Sequence, residues 1–229
     1  IGARAFGAST PLGFVLFSGD TAAAVNLDNG GTVHNSTGGQ IGIGHIAEGK
    51  YATAMFGLGP PSGGATGPVG LIVSGSGQTG RRCHAAAYDL AGAGTEVDCN
   101  TAGGGNGDNP FSLLWFTRGR PGLRYGYALA ANANNTVGYT PQSDLSANST
   151  GGAITAKRTG TGTFQIVFAG LAHAAGATEG VQVSGFAGAG YCTLLSWGNS
   201  GANDLAANIT CWDTLAVPAN MLFNILIVQ

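Results

Sequence analysis

Gly162-Thr163-Phe164-Gln165-Ile166-Val167-Phe168-Ala169-Gly170-Leu171 is the stretch on which the reading of this chain turns. Val181-Gln182-Val183-Ser184, Cys192 to Trp197, Asn208-Ile209-Thr210-Cys211-Trp212-Asp213 and Phe223-Asn224-Ile225-Leu226-Ile227 follow it. Leu205, Ala207, Ile209 and Cys211 alternate with Ala206, Asn208 and Thr210, and Phe223, Ile225 and Ile227 alternate likewise. A period of two buries one face of a strand. Glycine-rich breaks every ~8–15 residues supply the turns between such runs.

A weaker copy of this pattern occupies the first half of the chain. Asn35-Ser36-Thr37-Gly38-Gly39 recurs unchanged as Asn148-Ser149-Thr150-Gly151-Gly152. Tyr51 to Leu58 answers to Phe164 to Leu171, and Val73-Ser74-Gly75 to Val183-Ser184-Gly185. Cys83 and Cys99 answer to Cys192 and Cys211, and the segment from Asn109 to Leu114 answers to that from Asn220 to Leu226. One near-constant offset across these landmarks predicts two copies of one fold. The expected organisation is an arm over residues 1–11, a first repeat over 12–117, a linker over 118–122 and a second repeat over 123–229. The predicted class is all-β, two tandem β-sandwich modules of immunoglobulin-like or jelly-roll-like type.

Composition sets the remaining bounds. Glycine makes up 42 of 229 residues, about 18% against a usual ~7%. Charged residues make up 9% and the net charge is -2, so nothing points to nucleic acid. Apolar residues at 44% are ample for a core. The surface is then largely Gly, Ser, Thr, Asn and Gln, and so little charge resists self-association poorly. No window approaches the ~18 apolar residues of a membrane span. The chain begins at Ile1 without an initiator Met, as expected of a processed, exported chain.

The four cysteines fall two per repeat, 16 and 19 residues apart. The predicted bridges are Cys83–Cys99 and Cys192–Cys211, each adding roughly 3 kcal/mol by constraining the unfolded chain. Disulfides imply an oxidising compartment, hence secretion to the cell exterior.

Candidate chemistry is sparse. Gly75-Ser76-Gly77-Gln78-Thr79-Gly80 follows an apolar run and precedes residues 81–92, the one segment with a helical period. That is the dinucleotide-binding plan, pyrophosphate at a helix N-terminus. The matching segment of the second repeat leads into a strand-like run instead, so a loop is the favoured reading. Gly198-Asn199-Ser200-Gly201-Ala202 has the flavour of a serine protease, but no base and acid stand in the order a triad needs. His34, His45, His84 and His173 are scattered, and no paired carboxylates stand out. No catalytic residue, metal site or cofactor is expected. Trp197, Trp212 and Tyr88 are candidates for stacking against a glycan. Ile1, Phe6, Phe14, Ile225 and Ile227 are candidates for contact between subunits. Asn35, Asn134, Asn148 and Asn208 lie in N-x-Ser/Thr sequons, with Asn208 the poorest.

The second repeat resembles tandem Cys/Trp-containing β-rich modules of secreted bacterial proteins. The resemblance rests on Gly162 to Leu171, Val181 to Val183, Cys192 to Gly198, Ile209 to Asp213, and Pro218-Ala219-Asn220 with Phe223. In the first repeat Tyr88-Asp89 stands where Trp-Gly is expected, and Asn100-Thr101 replaces the aromatic-Asp pair after Cys99. The resemblance implies export and β-structure and carries no activity. The expected role is a non-enzymatic structural subunit of an extracellular homopolymer whose partner is itself. A carbohydrate-binding or adhesin module is the alternative.

Overall fold

The computed structural model describes residues 12–18, 25–27, 32–58, 69–76, 80–89, 94–117, 122–173 and 179–229. The arm at 1–11, with Ile1 and Phe6, lies outside them, as does most of the linker. The described chain is all-β, with one turn of 3-10 helix at Ser143–Leu145 and no α-helix.

The first sandwich is built from β1 (Leu12–Phe17), β2 (Val25–Leu27), β3 (Val33–Asn35), β4 (Ile41–Ala47), β5 (Lys50–Met55), β6 (Gly70–Gly75), β7 (Arg82–Asp89), β8 (Gly94–Asn100) and β9 (Phe111–Phe116). One sheet has the order β3-β1-β9-β6, and the other runs β7-β8-β5-β4-β2. The second is built from β10 (Tyr125–Ala130), β11 (Ser146–Asn148), β12 (Ile154–Gly160), β13 (Thr163–Phe168), β14 (Gly180–Phe186), β15 (Tyr191–Ser200), β16 (Asp204–Trp212) and β17 (Leu222–Val228). Its sheets are β11-β10-β17-β14 and β12-β13-β16-β15. Apart from β2, the two orders correspond strand for strand.

Each pair of sheets encloses its own core. Val15, Phe17, Leu113 and Trp115 from one sheet meet Ile41, Tyr51, Met55 and Val97 from the other. Ile225, Ile227 and Phe223 meet Phe164, Ile166, Phe168, Leu205 and Ile209 in the second module. Alternation decides which side chains go inward: Leu205, Ala207, Ile209 and Cys211 are buried while Asn208 and Thr210 are half-exposed.

β9 and β17 depart from alternation because both of their faces are covered. Leu114 and Phe116 on β9 point away from the first core, as Leu226 and Val228 on β17 point away from the second. With Leu12, Phe14, Ile72, Tyr125 and Tyr127 they form a third apolar cluster, between the modules. The two sandwiches therefore pack through corresponding faces. A further join comes at Phe186, which pairs in parallel with Ala85, while the Ala187 amide donates to the Ala85 carbonyl at 2.9 Å. This makes β14 continuous with β7, so a nine-stranded sheet runs through both modules.

The repeated Asn-Ser-Thr-Gly-Gly run is a corner, built twice with the same bonds. Asn35 Nδ2 donates to the Phe56 carbonyl at 2.8 Å, and Asn148 Nδ2 to the Ala169 carbonyl at 2.8 Å. The hydroxyls of Thr37 and Thr150 each donate to that asparagine's Oδ1 at 2.8 Å. Ser36 and Ser149 take the amides of Leu12 and Tyr125 on Oγ. At the sequons of Asn35 and Asn148 both side-chain nitrogens are committed to holding the corner. Asn208 sits in β16 and donates to Ser196 Oγ. Asn134 is exposed. Expressed in a glycosylating host, the folded chain is expected to carry sugar at Asn134 alone, which peptide mapping by mass spectrometry would read. Sugar at Asn35 or Asn148 would show the corner to be dispensable.

Candidate functional site

Both predicted disulfides are formed. Cys83 faces Cys99 across β7 and β8, and Cys192 faces Cys211 across β15 and β16. Gly75 to Gly80 joins β6 to β7, so the segment after the glycines is strand where the dinucleotide plan requires helix. Among the described residues no helix N-terminus is present there to receive a pyrophosphate.

A cluster of side chains with the look of chemistry stands at His45, Tyr51 and Asp108. Asp108 Oδ1 accepts from the Gly49 amide at 2.7 Å and from the Tyr51 hydroxyl at 3.0 Å, and lies 2.9 Å from His45 Nε2. Burial alone would push Asp108 up, but these three partners together hold it below the usual carboxylate range. Tyr51 is pushed up to about 12 by burial and then by the carboxylate beside it. The second module shows which part of the cluster recurs. There Asn220 Oδ1 accepts from the Gly162 amide at 3.0 Å, with Phe164 in the place of Tyr51 and Arg158 in the place of His45. The bond to the glycine amide is thus common to both copies, and the charge and the two extra partners at Asp108 belong to the first module alone. The shared bond also corrects the repeat alignment by one residue: Asp108, not Asn109, answers to Asn220. Among the described residues no three His, Cys, Asp or Glu side chains converge as a metal set.

The aromatic candidates separate into different roles. Tyr88 follows a bulge in β7 and pairs with Thr95, and Trp197 follows the equivalent bulge in β15 and pairs with Ala207. The two are therefore structural counterparts. Tyr88 lies between the modules. It stacks on Phe186 with ring centroids 5.4 Å apart and donates to Asn224 Oδ1 at 2.7 Å, and burial pushes its hydroxyl far above the ordinary tyrosine range. That removes it as a glycan platform. Trp197 has no such cover and is 47% exposed, with Leu195 beside it 66% exposed. Trp212 stacks on Tyr191 with centroids 5.0 Å apart. Six residues along β15 separate Tyr191 from Trp197, about 20 Å at the rise of a strand, so the two tryptophans share no stacking face. Ile225 and Ile227 are 1% and 0% exposed in the second core, and Phe14 belongs to the cluster between the modules. This corrects their reading as subunit contacts: their apolar faces are already used within the chain.

Two surfaces stand out among the described residues. One is the outer edge of β15, at the end of its sheet. The other is a cleft of about 250 Å³ between the modules, lined by Val73, Ser74, Arg81, Arg82 and His84 on one side and Ser184, Gly190, Tyr191 and Thr193 on the other. Sequence reasoning missed the cleft, because its two walls come from strands about a hundred residues apart. Its trace in the sequence is the pair Arg81-Arg82 beside Cys83-His84 in a chain with so few charges. Comparison with known protein families, with curated proteins and with solved structures finds no match to this chain.

Proposed function

We propose that this chain is a non-enzymatic structural subunit of a secreted, extracellular homopolymer, joined through strand pairing between copies. The observation that carries the reading is the difference between β7 and its counterpart β15. In the first module β14 meets the free edge of β7 at Ala85, and Phe186 covers Tyr88. In the second module, among the described residues, the same edge and the same aromatic position, Trp197, are left open.

The other edges are guarded. β2, β3 and β11 are three residues long, β12 carries Lys157 and Arg158, and β6 packs beside β14. Short or charged edges are how sheets avoid unwanted pairing. β15 spans ten residues without one charge. A second copy is the fitting occupant, because the chain already uses a strand of its own second module on the equivalent edge. The contact cannot simply repeat the intramolecular one, since the face formed by Tyr125, Tyr127, Leu226 and Val228 is already buried against the first module. Disulfides fit an exported chain, and a low-charge surface fits a crowded assembly.

The test is the mass state of the purified chain by light scattering and negative-stain microscopy. Wild type is expected to form open, regular polymers, and Leu195→Lys with Trp197→Lys is expected to return it to monomer. A twofold β15–β15 pair would stop at a dimer and would overturn the polymer while keeping the edge. A wild type that stays monomeric overturns both, and leaves Trp197 as a residue to probe for glycan binding. Removing residues 1–11 asks whether the arm supplies the added strand.

A further inference from the structure

The cleft between the modules carries a second inference, independent of assembly. His84 is 4% exposed, so its ring is held by the protein rather than by water. Its Nε2 accepts from the Gly188 amide of the second module at 3.3 Å. An accepting Nε2 fixes the neutral ring with its proton on Nδ1. That Nδ1–H is buried and has no hydrogen-bond partner. A buried donor without an acceptor is expensive and marks a missing ligand or water.

The surroundings define what would complete it. Arg82 lies over the Tyr191 ring at 4.1 Å from its centroid and reaches the Asp213 carbonyl at 3.5 Å, so it bridges the modules at the cleft. The Arg81 guanidinium donates to the Asp108 carbonyl. Neither arginine has a carboxylate partner among the described residues, and no Asp or Glu lines the cleft. Ser184 Oγ accepts from the Val73 amide and keeps its own proton to donate. The cleft thus gathers donors and positive charge, and its lining holds no carboxylate. Burial pulls His84 down and keeps the ring neutral, which suits a donor that must not collide with the Gly188 N–H. The cleft's volume of about 250 Å³ lies below the ~300 Å³ at which cofactor sites begin.

We propose that the intermodule cleft is a binding site for a small oxyanion, a phosphate or a small carboxylate, held by His84 Nδ1–H, Ser184 and the charge of Arg82. Bound there, the anion would tie β7 of one module to β14 and β15 of the other.

The probes are inorganic phosphate and acetate, titrated into the intact chain and followed by NMR. Saturable shifts are expected at the His84 ring nitrogens and at the Gly188, Ser184 and Thr193 amides. Arg82→Gln is expected to weaken binding about ten- to a hundredfold, the range of a hydrogen bond to a charged group. Tyr191→Leu removes the stack under Arg82 but keeps its charge, and is expected to retain binding. His84→Gln serves as a second variant, with weakening expected to match that of Arg82→Gln. No saturable shift with either anion overturns the proposal, as does equal binding by wild type and both donor variants. Phosphate and acetate responding differently would distinguish the two sources of the oxyanion.

Discussion

Alanine at Gly152 is expected to cost the second module about 3 kcal/mol or more, and alanine at Gly39 to cost the first about as much. A Cβ on Gly152 would stand 2.1 Å from the Ala169 carbonyl oxygen, and one on Gly39 would stand 2.1 Å from the Phe56 carbonyl oxygen. Those oxygens cannot move aside, because each accepts from the corner's asparagine side-chain amide. The backbone itself would have to part and lose those bonds. The neighbouring glycines make the control. Gly38 and Gly151 have φ of 78° and 74° with open space around them, so alanine there meets no atom and pays only for its left-handed backbone. That strain is about 1–2 kcal/mol. Urea denaturation of the four single variants should place Gly39→Ala and Gly152→Ala well below Gly38→Ala and Gly151→Ala. A Gly152→Ala protein within about 1 kcal/mol of wild type would show that the corner has more room than its geometry allows.

Two kinds of information were legible in the sequence because each is local. Alternation at Leu205 to Cys211 follows from the pleat itself, and the two Asn-Ser-Thr-Gly-Gly runs are spelled identically because both make the same corner. The cysteine pairs were legible for a related reason: each closes a strand onto its neighbour. Contacts between modules were not legible in this way. The run Ile225-Leu226-Ile227-Val228 looks like a terminal strand seeking a partner. In the fold Ile225 and Ile227 fill one core while Leu226 and Val228 fill the cluster between the modules. An unbroken apolar run of this kind marks a strand covered on both faces, and that was its available signal. Arg82–Asp89, with Ala85-Ala86-Ala87 at the centre, carries helical propensity that pairing with β8 and the Cys83–Cys99 bridge override. The one-residue slip between Asn109 and Asp108 shows the limit of matching letters. The structural counterpart of Asn220 is the residue that accepts from the Gly49 amide, and amino-acid identity pointed to its neighbour. Tyr88 and Trp197 mark the same limit from the other side. They hold equivalent positions in sequence and fold, yet one is sealed by Phe186 and the other is open.

Removing either disulfide is expected to destabilise its module by roughly 3 kcal/mol, the loop-closure value for 16 or 19 residues. The logarithm makes the two losses nearly equal on chain entropy alone. Any difference between them therefore reports on the folded state. Cys83 and Cys192 both line the cleft between the modules, and both bridges lie at cross-strand pairs. What differs is the outer neighbour. β14 meets the free edge of β7 at Ala85, whereas among the described residues no strand pairs with the outer edge of β15. Opening of the second bridge needs only the β15 edge to lift, and opening of the first needs the modules to part. Cys192→Ala with Cys211→Ala is therefore expected to loosen β15 locally as well as lowering the denaturation midpoint of the second module. Cys83→Ala with Cys99→Ala should lower stability with β7 amides still protected. Hydrogen exchange on the two double variants separates these outcomes. Equal exposure of β7 and β15 amides would mean that β14 gives the first module no bracing. The same result would remove the contrast between the covered and the open edge on which self-assembly through β15 depends.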